Sequence, residues 1–263
     1  MSWLRIRAVA RRHAFVLWRS PHRLFDVLVW PLVDALLFGS LGVFVARQAG
    51  GDTQAGVAYL LAGILLFHVI YQSQIAVSTG FLEETWSRNI LNLMATPLKE
   101  IEYACGVALF GMAKLAIGLG VVALAAVGFY SFNILDVGWG LLPIGALLLV
   151  AGWSISLFVI GLVLRFGQSA EVFAWGILFV VMPLSGVFYP VESLPGLLQP
   201  VARLLPTTHA FNAARTLLDG DPMPWDELAY SLAGCIAVAA LGLLFLTRML
   251  AVFRRRGYVT RFS

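Results

Sequence analysis

Charge is scarce in this 263-residue sequence: only 12% of its residues are Asp, Glu, Lys or Arg. That is half of the roughly 25% found in a soluble domain. The shortage excludes an ordinary globular enzyme and a disordered tail protein. Cysteine is scarcer still, and Cys105 and Cys235 each lie at or in an apolar run. They read as small buried hydrophobes, not as a disulfide framework. The four histidines, His13, His22, His68 and His209, are too scattered for a zinc site. No H-E-x-x-H and no G-x-S-x-G occurs, so a membrane protease has no visible machinery. The nearest approach to a phosphate-binding loop, Gly106 to Lys114, lacks the Gly-Lys-Ser/Thr ending. Internal repeats are missing, as are the paired broken spans of an inverted-repeat carrier. A formal net charge of +4 does not indicate a nucleic-acid binder, because the basic residues cluster at the two termini.

What is abundant is apolar surface, 60% of the residues. Six spans of ~20 residues fit within it. Long apolar runs fall near 27–46, 57–78, 104–130, 139–164, 171–189 and 228–252. Backbone groups in lipid must bond within their own segment, so the runs are expected to be helices. The expected fold is an all-α polytopic membrane protein, one transmembrane domain over 1–263. The first run begins late, near Val27, and lacks an A-x-A cleavage site, so it reads as a retained anchor. Fourteen Lys and Arg fall on the side of the termini and the 79–103 and 165–170 loops, against three on the other. The positive-inside rule then puts both termini in the cytoplasm.

Residues 1–26 precede the first run. Trp3, Ile6, Ala10 and Leu17 share one helical arc, and Arg5, Arg12, Arg19 and Arg23 another. This pattern fits an interfacial helix with arginines toward anionic headgroups, or a plain basic flank that fixes topology.

Two stretches outside the spans are long enough to carry mechanism. The cytoplasmic one, 80–103, has charged residues around Ile90, Leu91, Leu93 and Met94, with Pro97 as a stop. It reads as a short helix docking a partner, or as a solvated loop. The outer one, 190–227, holds six of the eleven prolines. Its apolar pieces, Leu194–Leu205 and His209–Leu218, are each too short to span. They are expected to be two short re-entrant helices, the second capped by Thr207 or Thr208. Two charges lie inside spans, Asp34 and Lys114, and are expected either to pair or to reach water separately. His68, mid-span, reads as a hydrogen-bonded packing residue. A multi-span transport subunit without its own energy source is the reading the residues support. Its alternatives are an ion- or proton-coupled carrier using Asp34, Lys114 and His68, and a non-transporting membrane scaffold.

The order of parts resembles the membrane subunits of type-2 ATP-binding-cassette (ABC) exporters, which include drug, polysaccharide and lipo-oligosaccharide exporters. The resemblance rests chiefly on Leu184–Arg215, with Ser185-Gly186, Phe188-Tyr189-Pro190, Leu194-Pro195, Leu205-Pro206, Thr208-His209 and Arg215 in the family's order. Leu205 stands where Asn is common. Glu83-Glu84 and Ala95-Thr96-Pro97-Leu98 match the coupling region, without the Gly that usually precedes that Pro. The resemblance implies a dimer of permease chains, each on a cytoplasmic ATPase that supplies the ATP and Mg; this chain would hold no cofactor. It implies ATPase coupling through Glu83, Glu84, Trp86, Arg88, Thr96 and Pro97. It also implies an exit region formed by Phe188, Tyr189, Pro190, Pro195, Pro206, Thr208, His209 and Arg215. The implied cargo is a drug, a glycolipid or a lipid-linked saccharide, and the place is the inner membrane.

Overall fold

A computed structural model describes all residues except 49, 51, 88, 90, 91, 93, 94 and 257–263. Its described elements are helical. Helix α1 (Trp3–Trp18) is followed by α2 (Pro21–Gln48), α3 (Thr53–Trp86), α4 (Glu100–Tyr130) and α5 (Leu141–Phe166). Then come α6 (Glu171–Leu184), the short α7 (Gln199–Arg203) and α8 (Pro206–Leu218), and the long α9 (Trp225–Arg256).

Five of these helices are long and apolar enough to cross a membrane: α2, α3, α4, α5 and α9. The sixth expected run, 171–189, is not one helix of that length. Helix α6 has 14 residues, about 21 Å at 1.5 Å per residue, against a hydrocarbon core of about 30 Å. Apolar character continues past Leu184, but the backbone does not stay helical. Pro183 lies in the last turn, Gly186 takes φ +62, and Pro190 follows four residues later. Hydropathy carries no trace of those backbone limits.

Helix α3 is the centre of the bundle. It packs against α2, α4 and α5 and contributes Leu61, Ile64 and Ile70 to the main core, with Ile144 and Leu148 from α5 and Phe211 from α8. Two buried polar pairs also lie along it, His68 with Gln72 and Gln74 with Ser78. The His68 and Gln72 side chains meet at 3.2 Å and Gln74 donates to Ser78 Oγ at 2.9 Å. His68 is thus the hydrogen-bonded packing residue expected. Helix α9 packs on α5 and α8 and leaves Ile236, Leu241, Leu243 and Leu244 exposed. An apolar outer face on a helix this long suits lipid.

At 34 residues, α3 measures about 51 Å and outruns the hydrocarbon core. Its last turns carry Glu83, Glu84 and Trp86. The first part of the 80–103 stretch is therefore the end of α3, not a separate helix. Residues 88, 90, 91, 93 and 94 lie outside the described residues, so the expected helix across Ile90–Met94 and the place of Arg88 do too. The chain then turns through Thr96 and Pro97 into α4, which starts at Glu100. The helices alternate direction, so α1, the ends of α3 and α5 and the start of α4 share one end of the bundle. Helices α7 and α8 and the start of α9 lie at the other.

Candidate functional site

At the first of these ends, three arginines fasten α1 and the start of α2 to the carboxylates of α3 and α4. Arg12 spans both oxygens of Glu84 at 2.7 and 3.1 Å, and Asn89 Nδ2 donates to the same carboxylate at 2.7 Å. Arg23 meets Glu83 at 2.7 Å. Arg5 reaches Glu102 at 3.3 Å and donates to the Pro97 carbonyl at 2.6 Å. Glu102 also accepts the backbone N–H of Ser2 at 2.6 Å and of Lys99 at 3.1 Å. Glu84 and Glu102 are each only 1% exposed. A buried carboxylate persists only when it is paired and hydrogen-bonded, and both are.

Packing closes the same joint. Ile6, Val9, His13 and Leu17 are the buried face of α1. A Cβ on Gly106 would come within 2.6 Å of Val9 Cβ and 2.8 Å of the Ile6 carbonyl oxygen. Only glycine lets α4 approach α1 this closely. His13 stacks on Phe110, with ring centroids 5.6 Å apart, and lies edge-on to Tyr103. Burial pushes its pKa below the ordinary value, so the ring is held neutral.

This geometry corrects two expectations. The apolar arc of α1 includes Ile6 and Leu17 but faces protein, and Trp3 is 63% exposed. Arg5, Arg12 and Arg23 point at carboxylates, not headgroups, because those acids lie within reach. Glu84 is enclosed with Arg12 and Asn89, so it is not presented to an outside protein, and Glu83 is engaged by Arg23. Trp86, Thr96 and Pro97 remain exposed on the same end. Sequence reasoning missed the pairing partners Arg5, Arg12 and Arg23 and the receptor Glu102. Charges so sparse, on opposite sides of a long apolar stretch, were the available signal.

The intramembrane pair is also different. Lys114 meets Asp26 at 3.3 Å, and among the described residues Asp34 forms no ion pair. Asp26 precedes Asp34 by two helical turns, about 12 Å nearer the α1 end. A lysine stem at that depth extends toward the interface, and the carboxylate waiting there is Asp26.

At the other end, the expected exit residues lie close together in several hydrogen-bonded groups. Gly186 is in the left-handed region, φ +62, and its carbonyl accepts from Arg215 Nη2. The same nitrogen donates to the Tyr189 carbonyl at 3.2 Å, and Nη1 donates to Asn212 Oδ1 at 2.8 Å. Arg215 thereby closes the loop after α6 onto α8, and Phe188 stacks on Phe38 of α2 with centroids 4.2 Å apart. Thr208 donates to the Ala202 carbonyl at 2.6 Å, and Ser185 and Thr207 hydroxyls meet at 2.5 Å. Neither threonine caps α8: Leu205 is the cap position and Pro206 is the first helical residue, where its missing N–H costs nothing. His209 lies 2.6 Å from Glu227 Oε2 and 2.9 Å from the Arg203 carbonyl oxygen. Pro190 and Pro195 flank the short turn Val191–Ser193. Asn212 and Glu227 were not expected here; their spacing of three residues from His209 and two from Trp225 was the only hint.

A model of the family described as ABC-2 family transporter protein matches residues 45–248. Nodulation protein J of Rhizobium meliloti (strain 1021) is 31% identical over 246 residues, covering 86% of this chain and 84% of that protein. Nodulation protein J of Rhizobium leguminosarum bv. trifolii is 29% identical over 242 residues, 85% and 83% of the two chains. The capsule polysaccharide export inner-membrane protein BexB of Haemophilus influenzae is 31% identical over 117 residues, 42% of this chain and 43% of its own.

Proposed function

The chain belongs to the ABC-2 transporter family and is a membrane subunit of an ABC exporter, and on that premise we propose how it works. Two permease chains pair, each seated on a separate cytoplasmic ATPase that binds the ATP and Mg. The chain sits in the inner membrane with both termini in the cytoplasm. Helix α6 with the Pro-rich segment after it completes the sixth crossing, and α7 and α8 are re-entrant at the exit.

The clamp of α1 on α3 and α4 carries this reading. A movement of the ATPase must reach the spans through a stiff element, and α3 runs unbroken from the exposed Trp86 to Thr53 at the exit end. The ATPase contacts fall to Trp86, Thr96 and Pro97, with Arg88 beside them in sequence. Glu83 and Glu84 serve one step removed, by holding α1 against that lever. The pairing of Lys114 with Asp26 takes away a free charge that a gradient-coupled carrier would use.

Among the cargoes expected, a saccharide joined to a lipid or other apolar group is preferred. Relatives named for capsule polysaccharide export support the sugar, and Phe- and Leu-rich spans suit the apolar part. The test is mild purification of the chain from its host. A stoichiometric cassette ATPase, with hydrolysis that a lipid-linked saccharide stimulates, is the expected result. Absence of any ATPase across several mild detergents would overturn the coupling assignment.

A further inference from the structure

We propose that His209 is a proton-held clasp: as an imidazolium it ties α8 to both α7 and α9, and losing one proton releases it. The geometry carries this. Nδ1 is 2.6 Å from a carboxylate oxygen of Glu227, and Nε2 is 2.9 Å from the backbone carbonyl oxygen of Arg203. A carboxylate and a carbonyl oxygen can only accept. A neutral imidazole has one N–H and one lone pair, so it can serve only one of them and must aim its lone pair at the other oxygen. Only the doubly protonated ring donates to both.

The surroundings fit a cation. Glu227 and Tyr230 face the ring from α9, and the Tyr230 ring centroid is 5.4 Å away, within range of a cation–π contact. From α7 comes the Arg203 carbonyl, while the Arg203 guanidinium turns to Glu192 at 3.7 Å. On α8 itself, Asn212 donates to Glu227 Oε1 at 3.4 Å and links it to Arg215. Tyr59 of α3 interacts with Arg215, not with the histidine. The His209 side chain is 21% exposed and that of Glu227 27%, so solvent protons reach the pair.

The step is a simple acid–base exchange. One proton leaves a ring nitrogen for solvent, the remaining N–H stays with one acceptor, and the other acceptor is left facing a lone pair. Loss of a charge-assisted bond lowers the protection of α8 about tenfold or more. That the clasp faces the compartment into which cargo is released rests on the topology proposed above; its chemistry does not.

The experiment uses the full chain in lipid nanodiscs, with 15N-labelled histidine, at about pH 5.5 and about pH 8.5. The expected acid spectrum shows His209 protonated on both nitrogens. Hydrogen exchange of residues 206–218, expressed relative to the unstructured rate at each pH, is expected to fall in protection about tenfold at the alkaline value. His209→Gln should abolish that difference, and His22→Gln, an exposed histidine on α2, should leave it intact. Should His209→Gln fail to fold, Glu227→Gln serves: it should lower protection at about pH 5.5 toward the wild-type alkaline level. A singly protonated His209 ring at acid pH overturns the clasp, as does a pH difference that survives in His209→Gln. Neither outcome touches the ATPase co-purification, so the clasp and the transporter assignment fail separately.

Discussion

At the α1 end, Arg5, Arg12 and Arg23 cross 97, 72 and 60 residues of sequence to reach Glu102, Glu84 and Glu83. At the other end, Arg215 and His209 find most of their polar partners within 29 residues, several of them backbone carbonyls, and Tyr59 of α3 is the distant one. The first end is a joint between elements far apart in the chain. The second is a largely local knot. Ion pairs with exposed arginines are open to competition from salt or from a charged partner. Carbonyls held around a half-buried guanidinium are less so. On the function proposed above, a joint that passes motion between proteins suits the former, and a seal that keeps its shape suits the latter.

The largest expected effect lies in the knot. Arg215→Ala leaves the Gly186 and Tyr189 carbonyls and Asn212 Oδ1 without their donor. The loss is about 3 kcal/mol: three bonds to a charged donor, each contributing about 1.5–3 kcal/mol, would sum to more, but the site is only half-buried and water can replace part of the lost donor. Arg215→Lys should recover little, because a point charge cannot replace the planar fork that serves three acceptors. Thermal unfolding in detergent should show both losses, and they should be nearly independent of salt. A strong salt dependence would erase the contrast between the two ends.

Next comes the joint. Arg12→Ala strands Glu84, whose carboxylate is almost wholly enclosed, with Asn89 as its remaining donor. A fully buried broken pair costs 3–5 kcal/mol, but the Arg12 side chain is 45% exposed, so about 2 kcal/mol is expected. The readout is hydrogen exchange across residues 3–18. Wild-type α1 should also loosen at about 1 M salt, where the screening length is only about 3 Å. An α1 that stays protected in both tests would mean the apolar docking at Gly106 suffices alone.

The same contrast explains what the sequence made legible. Helix α5, mostly apolar, lies at Leu141–Phe166 against an expected 139–164, because length and hydropathy largely determine such a helix. Residues 185–215 lie together because most of their polar contacts are short in sequence, although Phe188 also reaches Phe38. The partners of Glu83, Glu84 and Lys114 were not legible. A one-dimensional pattern places a charge on a helix face, but which distant charge meets it depends on side-chain reach and on how the helices cross. Asp26 was overlooked for Asp34 because depth was counted from the backbone, while a lysine acts some distance from its Cα. The shortness of α6 was hidden because apolar residues continue where Pro183 and Gly186 end the helix.

A smaller effect separates the layers within the knot. Thr208→Val removes the 2.6 Å bond to the Ala202 carbonyl while keeping the shape. About 1 kcal/mol is expected, seen as exchange at residues 199–208 with the Arg215 network unaffected. If the whole 184–218 segment loosens together, the network is a single cooperative unit and Thr208 belongs to it.

The smallest expected effect opposes the two ends through their histidines. His13 is buried between Phe110 and Tyr103, and burial pushes its pKa below 6.5. A depressed histidine binds fewer protons folded than unfolded. The stability it contributes is complete above about pH 6.5 and declines as pH falls below that value, by at most about 1.4 kcal/mol per pH unit. The nearby Glu83 and Glu84 act the other way and reduce the slope. Exchange of α1 should therefore quicken on acidification, and His13→Phe should flatten the profile. The His209 clasp has the reverse sign, loosening as pH rises. One titration of the intact chain, followed at residues 3–18 and 206–218 together, should yield opposite slopes. Parallel slopes would mean that the two ends report one global transition, and the distinction between joint and knot would fall.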